Sequence, residues 1–217
     1  MNLPLPRHGG EGERDQPRIG VLLSGRGSNF LALHAAIERG EIPARIVLVV
    51  SNIADAPGLA RARDLGIPAE AMPHHGQPRA AQEEKVLEAL CRADVEWVCL
   101  AGYMRLLSPA FVSAFPRRIV NIHPSLLPAF PGLDAQEQAL AHGVKVSGCT
   151  VHLVDEGLDS GPIVVQRTVP VLDGDTPQTL AARILEQEHL AYPEALRRLL
   201  SEPWRIEGRR LIFQDRE

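Results

Sequence analysis

The stretch Asn121-Ile122-His123-Pro124-Ser125-Leu126-Leu127-Pro128 places an amide and an imidazole directly after a short apolar run, Ile119-Val120. Three prolines and a glycine fall between positions 124 and 132. Each proline fixes φ and removes a backbone donor, so a helix is strongly disfavoured here. The pattern predicts a buried strand that ends in a rigid loop. Because ligands bind at the carboxyl ends of strands in open α/β sheets, Asn121 and His123 are candidate functional residues.

The composition is typical of a soluble globular protein, with 45% hydrophobic and 23% charged residues in a chain of 217. The net charge is −4 and no basic stripe is present, which argues against a nucleic-acid partner. No apolar run approaches the roughly 20 residues of a membrane span, and the N-terminus lacks the apolar segment of a secretory signal. We therefore expect a cytoplasmic protein without a membrane partner, as a monomer or homodimer.

The chain predicts one domain, because no internal repeat or long linker divides it. Residues 1–17 are polar and rich in glycine, proline and charge, which predicts a disordered N-terminal tail. The domain itself is expected at residues 18–202 and a C-terminal extension at residues 203–217. Cys91, Cys99 and Cys149 are scattered and odd in number, so we expect reduced thiols.

Alternating apolar runs and helical patterns predict an α/β fold with a mostly parallel central sheet flanked by helices. Residues 146–154 and 163–171 are expected to pair as antiparallel strands in the C-terminal half. The last helix is expected to begin after Thr176, to reach about Leu200, and to be interrupted at Tyr192-Pro193. A further short strand is expected at residues 210–213.

A glycine loop, Ser24-Gly25-Arg26-Gly27-Ser28-Asn29, lies between the first predicted strand and a helix. Free N–H groups and the helix dipole make such a helix start an anion site, and glycines let the backbone approach the ligand. The loop lacks the lysine of a Walker A motif and the full GxGxxG spacing. It predicts either a phosphate monoester site or a tight turn without a ligand.

Four polar loops follow predicted strands, and we expect the sheet to bring them to one edge. They span residues 24–29, 102–107, 121–128 and 155–162.

These loops contain an imidazole, an amide and a carboxylate, for which Asp159 is the best candidate and Asp155 competes. Ser125 lacks the GxSxG context of a hydrolase nucleophile. His74-His75 has no cysteine or acidic partner at ligand spacing, so no metal site is predicted. Acid–base chemistry, oxyanion stabilisation and a phosphate anchor remain. This combination suits group transfer between two bound substrates.

The sequence resembles the folate-dependent glycinamide ribonucleotide (phosphoribosylglycinamide) formyltransferases over about residues 18–200. The resemblance implies a single-domain Rossmann-like formyltransferase fold. It is carried by LSGRGSN at 23–29, AGYMRLLSP at 101–109, NIHPSLLP at 121–128, LDSGPI at 158–163 and QEHLAYP at 187–193.

That resemblance implies a reaction. The amine of 5′-phosphoribosylglycinamide attacks the formyl carbon of the co-substrate 10-formyltetrahydrofolate, without a metal. The products are N-formylglycinamide ribonucleotide and tetrahydrofolate, in purine biosynthesis. The implied catalytic residues are Asn121, as a donor to the oxygen of the tetrahedral intermediate, His123, as an imidazolium and proton donor, and Asp159. A carboxylate beside His123 favours the charged imidazolium.

The resemblance also implies two sets of substrate-binding residues. The ribonucleotide and its phosphate are expected at Ser24, Gly25, Arg26, Gly27, Ser28, Asn29 and Glu188. The folate is expected at Arg79, Met104, Arg105, Leu106, Leu107, Asn121, Asp155, Glu156, Gly157, Leu158 and Asp159. The chain departs from the common pattern at Arg26, Asp134 and Gln136. Leu127-Pro128 is the candidate for a cis peptide bond.

Simpler structural roles compete with each assignment. His123 is otherwise a loop histidine, Asn121 a strand cap, and Asp159 a turn former. Arg79 is otherwise a solvated helix residue, and His152 and His189 are expected to be structural, while Met104, Leu106 and Leu107 pack in a core by default.

Rival functions are a formyltetrahydrofolate hydrolase, a methionyl-tRNA formyltransferase and a non-catalytic folate- or nucleotide-binding protein. We expect additional domains in the first two, and a degenerate catalytic set in the third.

Overall fold

The computed structural model describes residues 16–73 and 78–214. The predicted tail at residues 1–17, apart from Gln16 and Pro17, and the pair His74-His75 lie outside the described residues. The strands are β1 Arg18–Leu23, β2 Arg45–Ser51, β3 Ala69–Ala71, β4 Trp97–Leu100, β5 Ile119–His123, β6 Val146–Leu153, β7 Ile163–Pro170, β8 Trp204–Glu207 and β9 Arg210–Phe213. The helices are α1 Ser28–Glu38, α2 Pro57–Asp64, α3 Arg79–Arg92, α4 Pro109–Ala114, α5 Ala135–Ala141 and α6 Pro177–Ser201.

The described strands form one nine-stranded sheet in the order β3-β2-β1-β4-β5-β6-β7-β9-β8. The strands from β3 to β5 are parallel, and β6 then runs antiparallel to both β5 and β7. The predicted α/β fold and the antiparallel pair are confirmed. The strand β8 was not predicted. It forms a hairpin with β9, which joins the sheet beside β7.

Both faces of the parallel sheet are covered, which explains the continuous apolar runs of its strands. One core packs between the sheet and α1, α2, α5 and α6, and includes Phe30 and Leu180. The other packs between the sheet and α3 and α4, and includes Leu90 and Phe111. Both cores extend to the strands that carry the polar loops, so those strands form a rigid support.

The direction of winding reverses between the neighbouring strands β1 and β4. From β1 the chain builds outward through β2 and β3, and it then returns to add β4 and β5 on the other side. Such a switch point opens a crevice between the two loops that leave the strand ends. These loops touch, because the Ser24 N–H donates to the Gly102 carbonyl at 3.0 Å.

Helix α6 is continuous across Pro193, so the predicted interruption at Tyr192-Pro193 is wrong. Proline removes one backbone hydrogen bond, but tertiary packing outweighs that loss here. Tyr192 is fully buried, and its hydroxyl lies 3.1 Å and 2.9 Å from the carbonyl oxygens of Leu100 and Val120. The Tyr192 hydroxyl thus links α6 to β4 and β5 beside Pro193, where the helix lacks a backbone hydrogen bond.

Cys99 and Cys149 are buried and Cys91 is exposed, and all three thiols are free. Burial raises the pKa of both Cys99 and Cys149 to about 12. Within residues 16–73 and 78–214, no helix has the length and apolar character needed to cross a bilayer.

Tyr192→Phe is expected to lower the free energy of unfolding by about 1–3 kcal/mol, because it leaves buried carbonyl oxygens without their hydroxyl partner. Denaturant unfolding measures the change. Tyr103→Phe is the matched control, since its less buried hydroxyl faces one side-chain partner, Gln82, and a smaller loss is expected. An unchanged midpoint for Tyr192→Phe would show that the hydroxyl does not hold α6 to the sheet.

Candidate active site

Asn121 and His123 lie two residues apart on β5, so their side chains project from the same face of the sheet. The proline loop that follows is fixed by its own polar groups. The buried Ser125 hydroxyl donates to the Ala129 carbonyl, and Thr150 on β6 both donates to the Ser125 carbonyl and accepts from the Leu127 N–H. The predicted cis bond at Leu127-Pro128 is confirmed.

Both ring nitrogens of His123 face acceptors. Nε2 lies 2.9 Å from the Phe130 carbonyl oxygen, and Nδ1 lies 3.5 Å from Asp159 Oδ2. Since a carbonyl oxygen only accepts, Nε2 carries a hydrogen. An imidazolium, which donates from both nitrogens, satisfies both partners.

Asp159 is held in place by the backbone. Its Oδ2 accepts the Gly132 N–H at 2.8 Å, and its own φ is +48°. Asp155, four residues earlier, has other partners. Its Oδ1 accepts hydrogen bonds from Ser160 Oγ and from the Gly157 N–H. The contact with His123 therefore belongs to Asp159, as predicted, and Asp155 instead shapes the loop.

The expectation that all four polar loops leave one sheet edge needs correction. The loops after β1, β4 and β5 do so, because these strands are parallel. The acidic loop, residues 155–162, follows β6. Because β6 runs antiparallel to β5, the end of β6 lies toward the other edge. Asp159 reaches His123 because the loop folds back over the sheet face that carries Asn121 and His123.

His152, for which the sequence predicts a structural role, contacts two members of the predicted catalytic set. Its Nε2 is 3.2 Å from Asn121 Nδ2 and 3.7 Å from Asp159 Oδ1, and its Nδ1 is 3.0 Å from the Leu153 carbonyl oxygen. Burial lowers the pKa of His152, against the weaker opposing effects of the Leu153 carbonyl and Asp159. The strand alternation of residues 146–154 predicted a paired strand but not its register with β5.

The glycine loop has the geometry expected of an anion site. Gly27 caps α1 in a left-handed conformation with φ +74°, and no side chain caps this helix. The first-turn N–H groups have no partner within the helix. A Cβ at Gly27 would lie 3.1 Å from the Gly58 Cα, so the loop packs closely on α2. Arg26 is exposed and faces solvent.

Ser24 links the glycine loop to the loop after β4. Its hydroxyl donates to Asn52 Oδ1 and accepts the Met104 N–H at 2.8 Å. The hydroxyl is therefore engaged within the protein, and Ser24 serves the predicted ligand site mainly by shaping it. Asn52 was missed by sequence analysis, because nothing local marks a residue that follows β2 as part of this site.

Asn29 and Glu188 form a buried pair between α1 and α6. Asn29 Nδ2 donates to Glu188 Oε2 at 2.7 Å, and Asn29 Oδ1 has no partner among the described residues. Burial raises the pKa of Glu188, and the hydrogen bond from Asn29 partly opposes that effect. The structure thus brings these two predicted ribonucleotide residues together, although 159 positions separate them.

The predicted folate residues include three exposed apolar side chains, on the loops that follow β4 and β6. Met104, Leu106 and Leu158 are 68%, 60% and 50% exposed, and Leu133, which was not predicted, is 71% exposed. Core packing, the default role for Met104 and Leu106, is thereby excluded. Exposed apolar side chains on the loops that follow β4, β5 and β6 suit contact with an apolar ligand.

The remaining predicted folate residues lie in α3 and in the loops that follow β4 and β6, and Leu107 packs against the second core. Arg79 Nε pairs with the buried Glu83 carboxylate at 2.9 Å, and the same Glu83 oxygen accepts the Ser108 N–H at 3.1 Å. Arg79 is thereby attached to the end of the loop after β4, residues 102–107, which we call the Met104 loop. Leu107 and Arg105 are partly buried in that loop, and Glu156 and Gly157 are exposed in the acidic loop.

Residues 17–196 match the formyl transferase family. The chain belongs to this family. A phosphoribosylglycinamide formyltransferase from Bacillus subtilis (strain 168) is 42% identical over 184 residues, which cover 84% of this chain and 94% of that protein. The crystal structure of glycinamide ribonucleotide transformylase 1 from Symbiobacterium toebii matches this formyl transferase with a TM-score of 0.91 and 51% identity, covering 96% and 99% of the two chains.

A longer relative contains the same unit as one part. The trifunctional purine biosynthetic protein adenosine-3 from Drosophila pseudoobscura pseudoobscura is 50% identical over 187 residues, which cover 85% of this formyl transferase. The chain spans 14% of the length of that relative.

The hydrogen-bond partners of His152 predict its tautomer. At neutral pH, His152 is expected to be neutral with its hydrogen on Nδ1, because Nδ1 faces a carbonyl oxygen and Nε2 faces an amide N–H. Its titration midpoint is expected below 6.5, the ordinary value for histidine. Nitrogen-15 NMR of the imidazole groups, assigned with a His152→Gln variant, measures both. A hydrogen on Nε2 of neutral His152 would contradict this arrangement.

Proposed function

We propose that this formyl transferase moves the formyl group of 10-formyltetrahydrofolate to the amine of 5′-phosphoribosylglycinamide, giving N-formylglycinamide ribonucleotide and tetrahydrofolate in purine biosynthesis. The observation that carries the proposal is that Asn121, His123 and Asp159 come together on and beside β5, in a sheet whose strands β1 and β4 carry the uncapped glycine-loop helix and the exposed Met104 loop. The names of the Bacillus subtilis and Symbiobacterium toebii relatives support it. The substrates are small molecules, and we expect the protein to act in the cytoplasm.

In the proposed reaction, the substrate amine attacks the formyl carbon and a tetrahedral intermediate forms. A C–N bond to glycinamide forms, the bond to folate N10 breaks, and the proton lost by the amine is balanced by one gained at N10. Asn121 donates an N–H to the intermediate's oxygen, a contribution worth about 10²–10³ in rate at other enzymes. His123 donates from Nε2 once that N–H turns from the Phe130 carbonyl, and Asp159 balances its charge.

The two ends of the site suit the two substrates. The N–H groups after Gly27 offer the phosphate monoester a helix N-terminus. The buried Asn29–Glu188 pair offers hydrogen bonds to the ribose or amine. Across the Ser24 link, Met104, Leu106 and Leu158 offer apolar contacts to the pterin, and Arg79 and Arg105 offer charges to the acidic tail of the folate.

A formyltetrahydrofolate hydrolase requires the same catalytic groups but no second organic substrate. The uncapped helix start and the close Gly27–Gly58 packing form an anchor that hydrolysis would not need. These features favour transfer over hydrolysis. The test is to mix the purified protein with both substrates and to follow deformylated folate by absorbance. Turnover that requires the amine substrate supports the proposal, and no such turnover refutes it.

His123→Ala and Asp159→Asn are expected to lower kcat by at least about 10²-fold, since each removes a group that supplies or stabilises the transferred proton. Circular dichroism and thermal unfolding check that both variants remain folded. A matched control is Asp173→Asn, whose carboxylate is exposed and pairs only with Lys145 among the described residues. Near-normal kcat for folded His123→Ala would overturn the catalytic assignment.

Gly27→Ala is expected to raise KM for phosphoribosylglycinamide about tenfold, which corresponds to about 1.4 kcal/mol. Alanine is strained at φ +74°, and its Cβ would press on Gly58. KM for the folate is expected to change much less. Gly174→Ala is the control, because Gly174 has open space around it. Equal changes in both KM values would show that the glycine loop does not bind phosphoribosylglycinamide in preference to the folate.

A further inference from the structure

His152 and Asn121 are direct cross-strand neighbours, one on β6 and the other on β5. Side chains at such paired positions project from the same face and lie within contact distance. His152 is 2% exposed and Asn121 is partly buried beside it. The contact between Asn121 Nδ2 and His152 Nε2 is therefore set by the sheet register and does not depend on a loop.

The direction of each hydrogen bond follows from the backbone. Because the Leu153 carbonyl oxygen only accepts, His152 Nδ1 carries the hydrogen. A neutral ring then has a lone pair on Nε2, and only the NH₂ end of Asn121 satisfies it. The chain of partners Leu153, His152 and Asn121 thus fixes which end of the amide faces the ring.

We propose that His152 is a positioning residue, which holds the Asn121 amide so that its second N–H, and not its carbonyl oxygen, is available to the reacting oxygen. This inference rests on the proposed formyl transfer and extends it. The reversed amide would present a second acceptor to a developing oxyanion, which would raise the barrier instead of lowering it.

The charged neighbours of His152 explain why the ring must stay neutral. Asp159 Oδ1 is 3.7 Å from Nε2, and Asp155 acts more weakly; both carboxylates favour a protonated ring, while burial and His123 oppose it. Protonation would place an N–H against the Asn121 NH₂ group and draw Asp159 toward His152. Burial in the sheet lowers the pKa of His152, so the ring stays neutral and does not compete with His123 for Asp159.

The test is a double-mutant cycle on kcat with both substrates. His152→Leu removes the acceptor and keeps the volume, and it is expected to lower kcat about 10-fold or more with little change in either KM. His152→Gln supplies an amide oxygen as acceptor, and it is expected to retain kcat within about threefold. In an Asn121→Ala background, His152→Leu is expected to have almost no further effect, because the amide it positions is gone.

Several outcomes overturn the inference. If His152→Leu lowers kcat equally with and without the Asn121 amide, His152 acts independently of that amide. If His152→Gln lowers kcat as much as His152→Leu does, a hydrogen-bond acceptor at position 152 is not what matters. His34→Ala, on the outer part of α1, controls for loss of a partly buried imidazole. If His152→Leu does not fold, His152→Asn replaces it, since its shorter side chain keeps a polar group and withdraws it from Asn121.

Turnover by the wild-type protein distinguishes failure of the proposed function from failure of this inference. Absence of wild-type turnover refutes the function alone, and the amide orientation is then read from nitrogen-15 spectra. The side-chain NH₂ resonances of Asn121 are expected to shift in His152→Leu and to stay in place in His34→Ala. Unchanged resonances in His152→Leu would overturn the positioning role without reference to activity.

Discussion

The antiparallel pairing of β6 with β5 is the constraint on which the site depends. It reverses a sheet that is otherwise parallel up to this point, and it places His152 directly opposite Asn121. It also sends the following loop back across the sheet face, where Asp159 meets His123. The polar set is thus assembled by one change in strand direction.

A second level of organisation connects the two binding regions. The Ser24 hydroxyl holds the glycine loop to the backbone of the Met104 loop. Glu83 holds the end of the Met104 loop to Arg79. The Ser24 connection crosses the switch point between β1 and β4, where the two covered faces make the strands stiff. In the proposed reaction, this stiffness sets the distance between amine and formyl carbon before the intermediate forms. Enzymes gain much of their rate from such prior placement.

The sequence predicted what depends on local pattern. The apolar runs, the glycine loop, the proline loop and the capping signal at Thr176 gave most elements, and the cis bond at Leu127-Pro128 was also predicted correctly. The resemblance to known formyltransferases directed attention to Asn121, His123 and Asp159, and the structure brings these three together.

What the sequence did not predict depends on contacts between distant segments. The role of His152 follows from strand register, and that of Ser24 from a loop 80 residues away. The interruption of α6 was predicted from Pro193 alone, whereas the buried hydroxyl of Tyr192 keeps the helix continuous against β4 and β5. The strand β8 is short and half exposed, so its alternation is too weak to recognise without the neighbouring β9.

In the proposed reaction, the site moves a formyl group to an amine and does not release it to water. The most direct measurement uses 10-formyltetrahydrofolate labelled with carbon-14 in the formyl group, incubated with the protein and phosphoribosylglycinamide. Separation of the products shows where the label goes. Formyl transfer places nearly all of the label in N-formylglycinamide ribonucleotide, and only when phosphoribosylglycinamide is present. Label released as formate at the same rate with or without the ribonucleotide would contradict it.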